Sequence, residues 1–584
     1  MGGLTALPQI SYEGRMSETM KPISFEKIIN MCLEDYHTKG KIFEIDEKNF
    51  YKNKNDKIGM NFNNQFLRFP IGPAAGPHTQ LSQNILTAYL TGARFFEVKT
   101  VQVVDGKQMQ QMISKPCIDV KNVGYNVEWS TELTVEEAKN EYIKASILCQ
   151  VFGIELGLSD VKDFVINISV GYDLEGIKSK KITNFIDDLK DARNTKIFKE
   201  CIDVLKKNIN KFKVFKLEDI DKISPNITNT VTLSTMHGSK PEEIYSIASY
   251  LMVDKKLNTF IKCNPTLLGY DNVRKIFDDL GYDDIEIRRE DFEKDLQFDD
   301  AVDMISKLID LGKKNGLTFG IKLTNTLPVV NSRNKLSGEA MYLSGKPLYP
   351  ITIGVAKMFA EKFDGNICIS LSGGIDINNI VEVLKTGIAP ITFSTILLKP
   401  RGFLNIKSLL DKLSKESFSF DRLNVETLKE LAQFSKADDN YKNKGDGRKI
   451  EDTLVTFDCF KANCGLCVDV CPNRANVRIY DEHFDAPYQI LHFYSRCNEC
   501  GNCHTFCTRG GYPYFAKATL YSELEEFKNS KNPGFVKLEE NKFKIRDEDG
   551  NVYKYEPDLD RPDEGKKKME IFLETVIRDY SYLI

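Results

Sequence analysis

Eight short runs rich in β-branched and aromatic residues, set between residue 64 and about residue 400 with helix-length segments between them, constrain this chain more than any other feature. They are FLRFPIG near Phe66, ARFFEVKTV near Phe96, FVINISV near Ile166, TVTLST near Leu233, TFIKCNP near Ile261, TFGIKLTNT near Ile321, ICISLSGG near Ile369 and PITFST near Phe393. Strands buried on both faces of a parallel sheet read as continuous apolar runs, and each parallel connection needs a crossover. Stretches such as VEEAKNEYIKASILCQ, PEEIYSIASYLM, PITIGVAKMFAEKF and DINNIVEVLKTG supply it, with apolar residues at helical spacing. Eight strand–helix units predict an α/β fold, a (β/α)8 TIM barrel, with any active site at the strand C-terminal ends. Pattern alone also admits a doubly wound open sheet. Two spacers, roughly residues 102–134 and 180–228, are too long for a turn plus a helix and are expected to carry function or cover something.

Cysteine placement separates a second region. Of 14 cysteines, eight lie between Cys459 and Cys507, while Cys32, Cys117, Cys149, Cys201, Cys263 and Cys368 are scattered singly. That distribution argues for thiolate ligands kept reduced in a cytoplasmic setting and against a disulfide framework. The eight form Cys459-x4-Cys464-x2-Cys467-x3-Cys471-Pro472 and Cys497-x2-Cys500-x2-Cys503-x3-Cys507. In two-cluster ferredoxins the fourth cysteine of each run crosses to the other cube. The spacing therefore predicts a small α+β, bacterial ferredoxin-like 2[4Fe–4S] domain. Cys459, Cys464, Cys467 and Cys507 would hold one cluster, and Cys497, Cys500, Cys503 and Cys471 the other. Four thiolates also suit tetrahedral zinc, but contiguous x2, x2, x3 spacing wraps a cube better than two separate ions. The four-residue first gap, and Thr508 where a second proline is usual, weigh most against Cys459.

Iron–sulfur clusters move single electrons, so chemistry on an organic substrate calls for a converter such as a flavin. The strand ends offer a site for one. Pro73-Ala74-Ala75-Gly76-Pro77 ends the first strand with small residues that admit a planar ring, although they also fit a tight turn. Lys99-Thr100 after the second strand and Lys262 at the end of the fifth place ammonium groups where a flavin would carry negative charge. Thr324-Asn325-Thr326 suits a polar ring, and Ser372-Gly373-Gly374 with Ser394-Thr395 stands where such barrels bind phosphate. In this strand order the signals favour FMN.

At these residues the chain resembles the flavin domain of dihydroorotate and dihydropyrimidine dehydrogenases and, more closely, the YgfK family of selenate reductase subunits. FPIGPAAGPHTQ, ARFFEVKTVQ, LSTMHG, KCNPTLLGY, IKLTNTL, LSGGI, CVDVCPNRANV and CNECGNC carry the resemblance, from about Lys21 to beyond Phe535. It implies that Ser344 and Gly345 join the cofactor set, and that Thr232, Ser234, Asn325 and Thr326 face substrate. It also implies a cysteine general acid after the fourth strand, yet Ser234-Thr235-Met236-His237 has none, and Thr232 and Asp173 stand where pyrimidine-gripping asparagines are expected. Uracil is accordingly a poor candidate substrate. Proton transfer falls to His237, Asp173, a bound water or Thr235, whose hydroxyl is a far weaker acid than a thiol. His237 equally fits a structural histidine bonded to a loop carbonyl. The family usually carries an FAD- and NAD(P)H-binding domain between barrel and ferredoxin, but here no G-x-G-x-x-G follows a strand. Electrons are thus expected from an FAD/NAD(P)H-binding or other electron-donor subunit, with molybdenum hydroxylase subunits as candidate neighbours. The resemblance implies reduction of an N-heterocycle, urate or a related oxopurine, in anaerobic purine catabolism. The alternative is a non-catalytic electron-transfer and scaffold subunit.

With 80 basic and 84 acidic residues, nothing biases the whole chain toward nucleic acid. No apolar run approaches the ~18 residues of a membrane span, and no secretory signal opens the sequence, so a cytoplasmic protein is expected. The expected divisions are a loose arm or expression remnant at 1–20, the barrel at 21–438, a polar linker at 439–457, the cluster domain at 458–515, and an extension at 516–584. That extension should hold a β-hairpin around Asp549-Gly550-Asn551.

Overall fold

Seven of the eight apolar runs become barrel strands where expected, and the eighth divides. In the computed structural model, which describes residues 20–52, 56–128, 130–234, 237–332, 336–445, 456–457 and 464–584, the strands are β1 (Ile71–Pro73), β2 (Phe95–Glu97), β3 (Val165–Val170), β4 (Thr230–Ser234), β5 (Asn258–Cys263), β6 (Phe319–Leu323), β7 (Cys368–Leu371) and β8 (Ile391–Phe393). Their order is β1-β8-β7-β6-β5-β4-β3-β2, with every pair parallel. The seam closes where the Arg94 N–H donates to the Ile71 carbonyl at 3.1 Å. Approach there is close enough that a Cβ on Gly72 would sit 1.8 Å from the Phe95 oxygen. The closed barrel excludes the open doubly wound sheet.

Arg94 pins this seam. Its Nε reaches Asp163 at 2.7 Å, and its guanidinium lies 4.0 Å from the Tyr89 ring centre. Both charged groups are buried, so removing one partner would cost about 3–5 kcal/mol.

The run FLRFPIG holds two elements. Gln65–Leu67 pairs antiparallel with Met60–Phe62, and β1 begins only at Ile71. Phe62 and Leu67 of this hairpin pack on Phe95, Val165 and Phe260, which stoppers the N-terminal end of the barrel. Outside, the helix Val135–Glu155 starts at a reciprocal cap. Thr134 Oγ1 accepts from the Glu137 N–H at 3.2 Å, and the Glu137 carboxylate accepts from the Thr134 N–H at 2.9 Å.

Both long spacers are structured. The first supplies strands Ile118–Val120 and Val123–Asn126, which join Ala340–Gly345 and Leu327–Val330 in a four-stranded antiparallel canopy over the mouth. The second supplies helices Lys180–Lys190, Lys196–Lys207 and Leu217–Ile220, the first two packed on Val135–Glu155.

Beyond the barrel, Asn476–Tyr480, Tyr488–Phe493, Ala518–Tyr521, Gly534–Glu539, Lys542–Arg546 and Val552–Tyr555 form one six-stranded sheet. Its last pair is a hairpin about Asp549-Gly550-Asn551, and strands on both sides of residue 516 share it. This unit docks on the barrel. Asn502 Nδ2 donates to the Leu398 carbonyl at 2.9 Å, and Asn84 Nδ2 donates to Asn473 Oδ1 at 3.2 Å. Among the described residues no helix is long and apolar enough to cross a membrane.

Candidate active site

A cavity of about 740 Å³ opens at the strand C-terminal ends beneath the canopy. Ala74, Ala75 and Gly76 line it after β1, Lys99 and Thr100 after β2, Ser234 and His237 at β4, and Lys262 on β5. Asn325 and Thr326 follow β6, Gly373 and Gly374 follow β7, Ser394 and Thr395 follow β8, and Ser344 and Gly345 descend from the canopy. Two expected residues are not among them, and a third cannot be placed. Thr232 is buried within the barrel, where it accepts from Asn167 Nδ2 at 2.7 Å. Asp173 is exposed and caps its own helix by accepting from the Gly176 N–H at 2.7 Å. Thr235 lies outside the described residues.

One lysine of the cavity is held in a buried ion pair, and another pair lies beneath it. Lys99 Nζ meets Glu128 Oε2 at 2.8 Å, and deeper in the barrel Lys322 meets Glu97 at 2.7 Å. Lys262 has no hydrogen bond or ion pair among the described residues, and burial, together with the like charges of Lys322 and Lys99, depresses its pKa against the pull of Glu97. An anionic group would satisfy it. At the far end Gly374 has φ +74°, and a Cβ there would lie 2.7 Å from both the Gly345 oxygen and the Tyr349 Cβ. Ser344 Oγ and Thr395 Oγ1 stand 3.0 Å apart beside it, and the Lys346 and Lys399 side chains line the same end. Burial and the Lys346 charge depress Lys399. This is a cradle for an oxyanion, and the residues fit an FMN: Gly374 and Thr395 would hold its phosphate, and the small residues Ala74–Gly76 would leave room for its ring.

Opposite the cradle stands a charge-bonded histidine. His237 Nδ1 lies 3.0 Å from Asp295 Oδ2, which also accepts from Asn264 Nδ2 at 2.9 Å and Thr266 Oγ1 at 2.7 Å. The Gly238 N–H donates to Asp295 Oδ1 at 3.1 Å. Burial raises the Asp295 carboxyl, but its hydrogen bonds and the charge of His237 hold it below the usual range. His237 thus bonds a carboxylate, not a loop carbonyl. Its Nε2 is buried without a partner among the described residues. Asn325 Nδ2 donates to Asn264 Oδ1 at 3.2 Å, linking the expected substrate contact to the same cluster. Glu128, Asp295 and Asn264 are the members of this candidate site that sequence reasoning missed. The length of the 102–134 spacer was the only signal for Glu128, and none marks Asp295.

Among the cysteines, Cys459 lies outside the described residues. Cys471, Cys497, Cys500 and Cys503 line one small cavity with Ala475, His492 and Tyr514. Backbone N–H groups of Ala475 and Glu499 donate to Cys471 Sγ and Cys497 Sγ, each at 3.3 Å. Burial pushes the Cys500 thiol up to about 12. Close by, Arg474 and Arg496 are buried with no carboxylate in ion-pair contact among the described residues, and burial drives Arg496 down to about 9. Two buried guanidinium groups beside Cys471 fit thiolates that carry an anionic cluster better than neutral thiols. Among the described residues no three His, Cys, Asp or Glu side chains gather closely enough for a single ion. A cube places its thiolates on different irons and so farther apart.

A family model described as the oxidoreductase YgfK, N-terminal TIM-barrel domain, matches residues 43–444. The YgfK proteins of Escherichia coli strains K12 and O157:H7 are each 39% identical over 489 residues, 80% of this chain and 46% of theirs. The chain therefore spans about half the length of these relatives. Crystal structures of DHODH from Eimeria tenella also match. The ligand-free form has a TM-score of 0.39 and 15% identity over 64% of this chain and 93% of that one, and the ferulenol complex a TM-score of 0.40 and 13% identity over 64% and 90%.

Proposed function

The chain belongs to the family of the YgfK N-terminal TIM-barrel domain, and from that premise we propose an oxidoreductase that reduces a C=C or C=N bond of an N-heterocycle, urate or a related oxopurine. Its barrel would hold FMN and its cysteine-rich region two [4Fe–4S] clusters. The observation that carries this reading is the His237–Asp295 pair on the wall of the same cavity as the unpaired Lys262 ammonium and the Gly374 cradle. When bound, the flavin supplies hydride chemistry and the clusters supply electrons singly.

The residues of the chain divide the remaining work. Ser344, Gly374 and Thr395 would hold the phosphate, while Lys262 and Lys99 would offer positive charge to the ring. Asn325 and Thr326 offer amide and hydroxyl groups to a lactam edge of the substrate. Asp295 fixes the His237 Nδ1 proton, so Nε2, covered in this conformation, is the position that would release a proton to substrate once it is uncovered. The substrate bond gains a hydride at one atom and this proton at its neighbour, so the reaction consumes two electrons and two protons.

Electrons would come from a donor protein, an FAD/NAD(P)H-binding subunit for example, in the cytoplasm, with molybdenum hydroxylase subunits as candidate neighbours. The test is anaerobic. Protein isolated without oxygen is assayed for flavin, iron and sulfide, then given a reduced one-electron donor with urate, uracil or selenate. Donor oxidation that depends on urate is expected, and turnover of none of the three sinks the reading. The second reading, a scaffold and electron-transfer subunit, rests on the absence of cysteine from Ser234–His237. Intact clusters with a barrel devoid of FMN would favour it.

A further inference from the structure

One stretch of chain, residues 115–128 with 130–132, joins the cavity to the cysteine-rich unit. The Cys500 carbonyl accepts the N–H groups of Cys117 at 3.2 Å and Ile118 at 2.9 Å, and the Ile118 side chain lines the cavity. From Cys117 a side-chain line continues inward. Its thiol donates to Glu128 Oε1 at 3.2 Å, and Lys99 Nζ donates to Glu128 Oε2 at 2.8 Å. A second line runs beside it, in which Lys115 Nζ and Asn498 Nδ2 both donate to Glu132 Oε1, at 2.6 and 2.7 Å. Lys99, Glu128 and Glu132 are each less than a tenth exposed.

Two ion pairs buried side by side are an expensive way to fill space, because apolar residues of similar volume usually stabilise as well or better. Their placement gives the reason. Glu128 and Lys99 line the cavity, whereas Lys115 and Glu132 do not. Burial raises the Glu128 carboxyl, and the charges of Lys99 and Lys115 more than offset it, so the group is ionised. Glu128 therefore decides how much of the Lys99 charge the cavity feels, and Cys117 ties that carboxylate to the main chain of a predicted cluster ligand.

We propose that Glu128 is a positioning residue: clamped between Cys117 and Lys99, it fixes the Lys99 ammonium and sets the positive charge presented to a bound flavin. The proposal rests on the FMN-and-cluster reading above. Removal of the carboxylate leaves Lys99 uncompensated and stabilises a reduced, anionic ring. Loss of the Cys117 thiol donor concentrates negative charge on Glu128 and does the opposite.

The experiment is an anaerobic dye-linked titration of the holoprotein. Glu128→Gln should shift the flavin midpoint potential positive, and the near-isosteric Cys117→Val should shift it negative by a smaller amount. Glu132→Gln, in the parallel pair outside the cavity, should move it less than half as far as Glu128→Gln. Cluster signals by electron paramagnetic resonance are followed in every variant. If Glu128→Gln does not retain flavin, the sign of the Cys117→Val shift decides. An unmoved potential in both variants, shifts of one sign, or an equal shift in Glu132→Gln overturns the proposal. Wild-type protein that isolates without flavin or clusters overturns the underlying reading instead.

Discussion

Asp295→Asn separates a proton-relay role from a structural one, because the donors around this carboxylate are unequal. The backbone N–H groups of Gly238 and Leu296, each 3.1 Å from Oδ1, cannot turn, so the asparagine oxygen takes that side. Its NH2 group then faces His237 Nδ1, Asn264 Nδ2 and Thr266 Oγ1. Thr266 can rotate its hydroxyl to accept. Asn264 cannot reverse without loss, since its Oδ1 already accepts from Asn325. His237 can accept only by moving its proton from Nδ1 to Nε2. One or two hydrogen bonds to a charged group disappear, each contributing about 1.5–3 kcal/mol, so a stability loss of about 1.5–6 kcal/mol is expected in urea melts. With the imidazolium no longer stabilised, kcat for the heterocycle should fall about 10²- to 10⁴-fold while KM stays within a few-fold. The depressed Asp295 pKa adds a sign: its contribution is present above the ordinary carboxylate range and fades as pH falls through the folded value. Wild type and variant should therefore converge in acid. A variant that retains FMN and keeps kcat within about fivefold of wild type would refute the relay, leaving Asp295 a loop anchor.

Gly374→Ala introduces both a left-handed strain and contacts at 2.7 Å, so it should cost about 2–4 kcal/mol and empty the barrel of FMN on gel filtration. Gly157→Ala shares the positive φ but meets nothing within 4 Å, and it should cost only about 1 kcal/mol and keep the cofactor. Cys500→Ser should remove roughly half of the bound iron and sulfide, and full retention of both would contradict its assignment. Asp35, raised to about 6 by burial, is a penalty at high pH. A raised carboxyl stabilises the fold only when protonated, so Asp35→Asn should gain about 1–3 kcal/mol at pH 8, with the gain shrinking below pH 6 and gone near pH 4. Tyr582 can still donate to the amide oxygen, and equal melts of the two proteins at pH 8 would count against this account.

The barrel was legible because strands covered on both faces have no polar alternation to confuse them, as Ile321 and Ile369 on β6 and β7 illustrate. FLRFPIG misled because apolar density does not reveal a hairpin: Gln65–Leu67 and Ile71–Pro73 belong to different sheets. The canopy strands were hidden by their shortness, since three or four residues such as Ile118–Val120 make no period. At the site, residues on strand ends were legible because the barrel order fixes where they meet. Thr232 and Asp173 came from the resemblance alone, and local hydrogen bonds hold them elsewhere. Asp295 could not be read, because its link to His237 spans 58 positions and depends on two loops folding together.

The hairpin Met60–Leu67 thickens a floor that the barrel already has. Phe62 and Leu67 pack on Phe95, Val165 and Phe260 beneath an interior filled by side chains such as Glu97 and Lys322. A molecule held at the strand ends would therefore have one way in and out, under the canopy. Of two molecules stacked there, the deeper would have to arrive first and leave last, so the outer one could turn over many times for each exchange of the inner one.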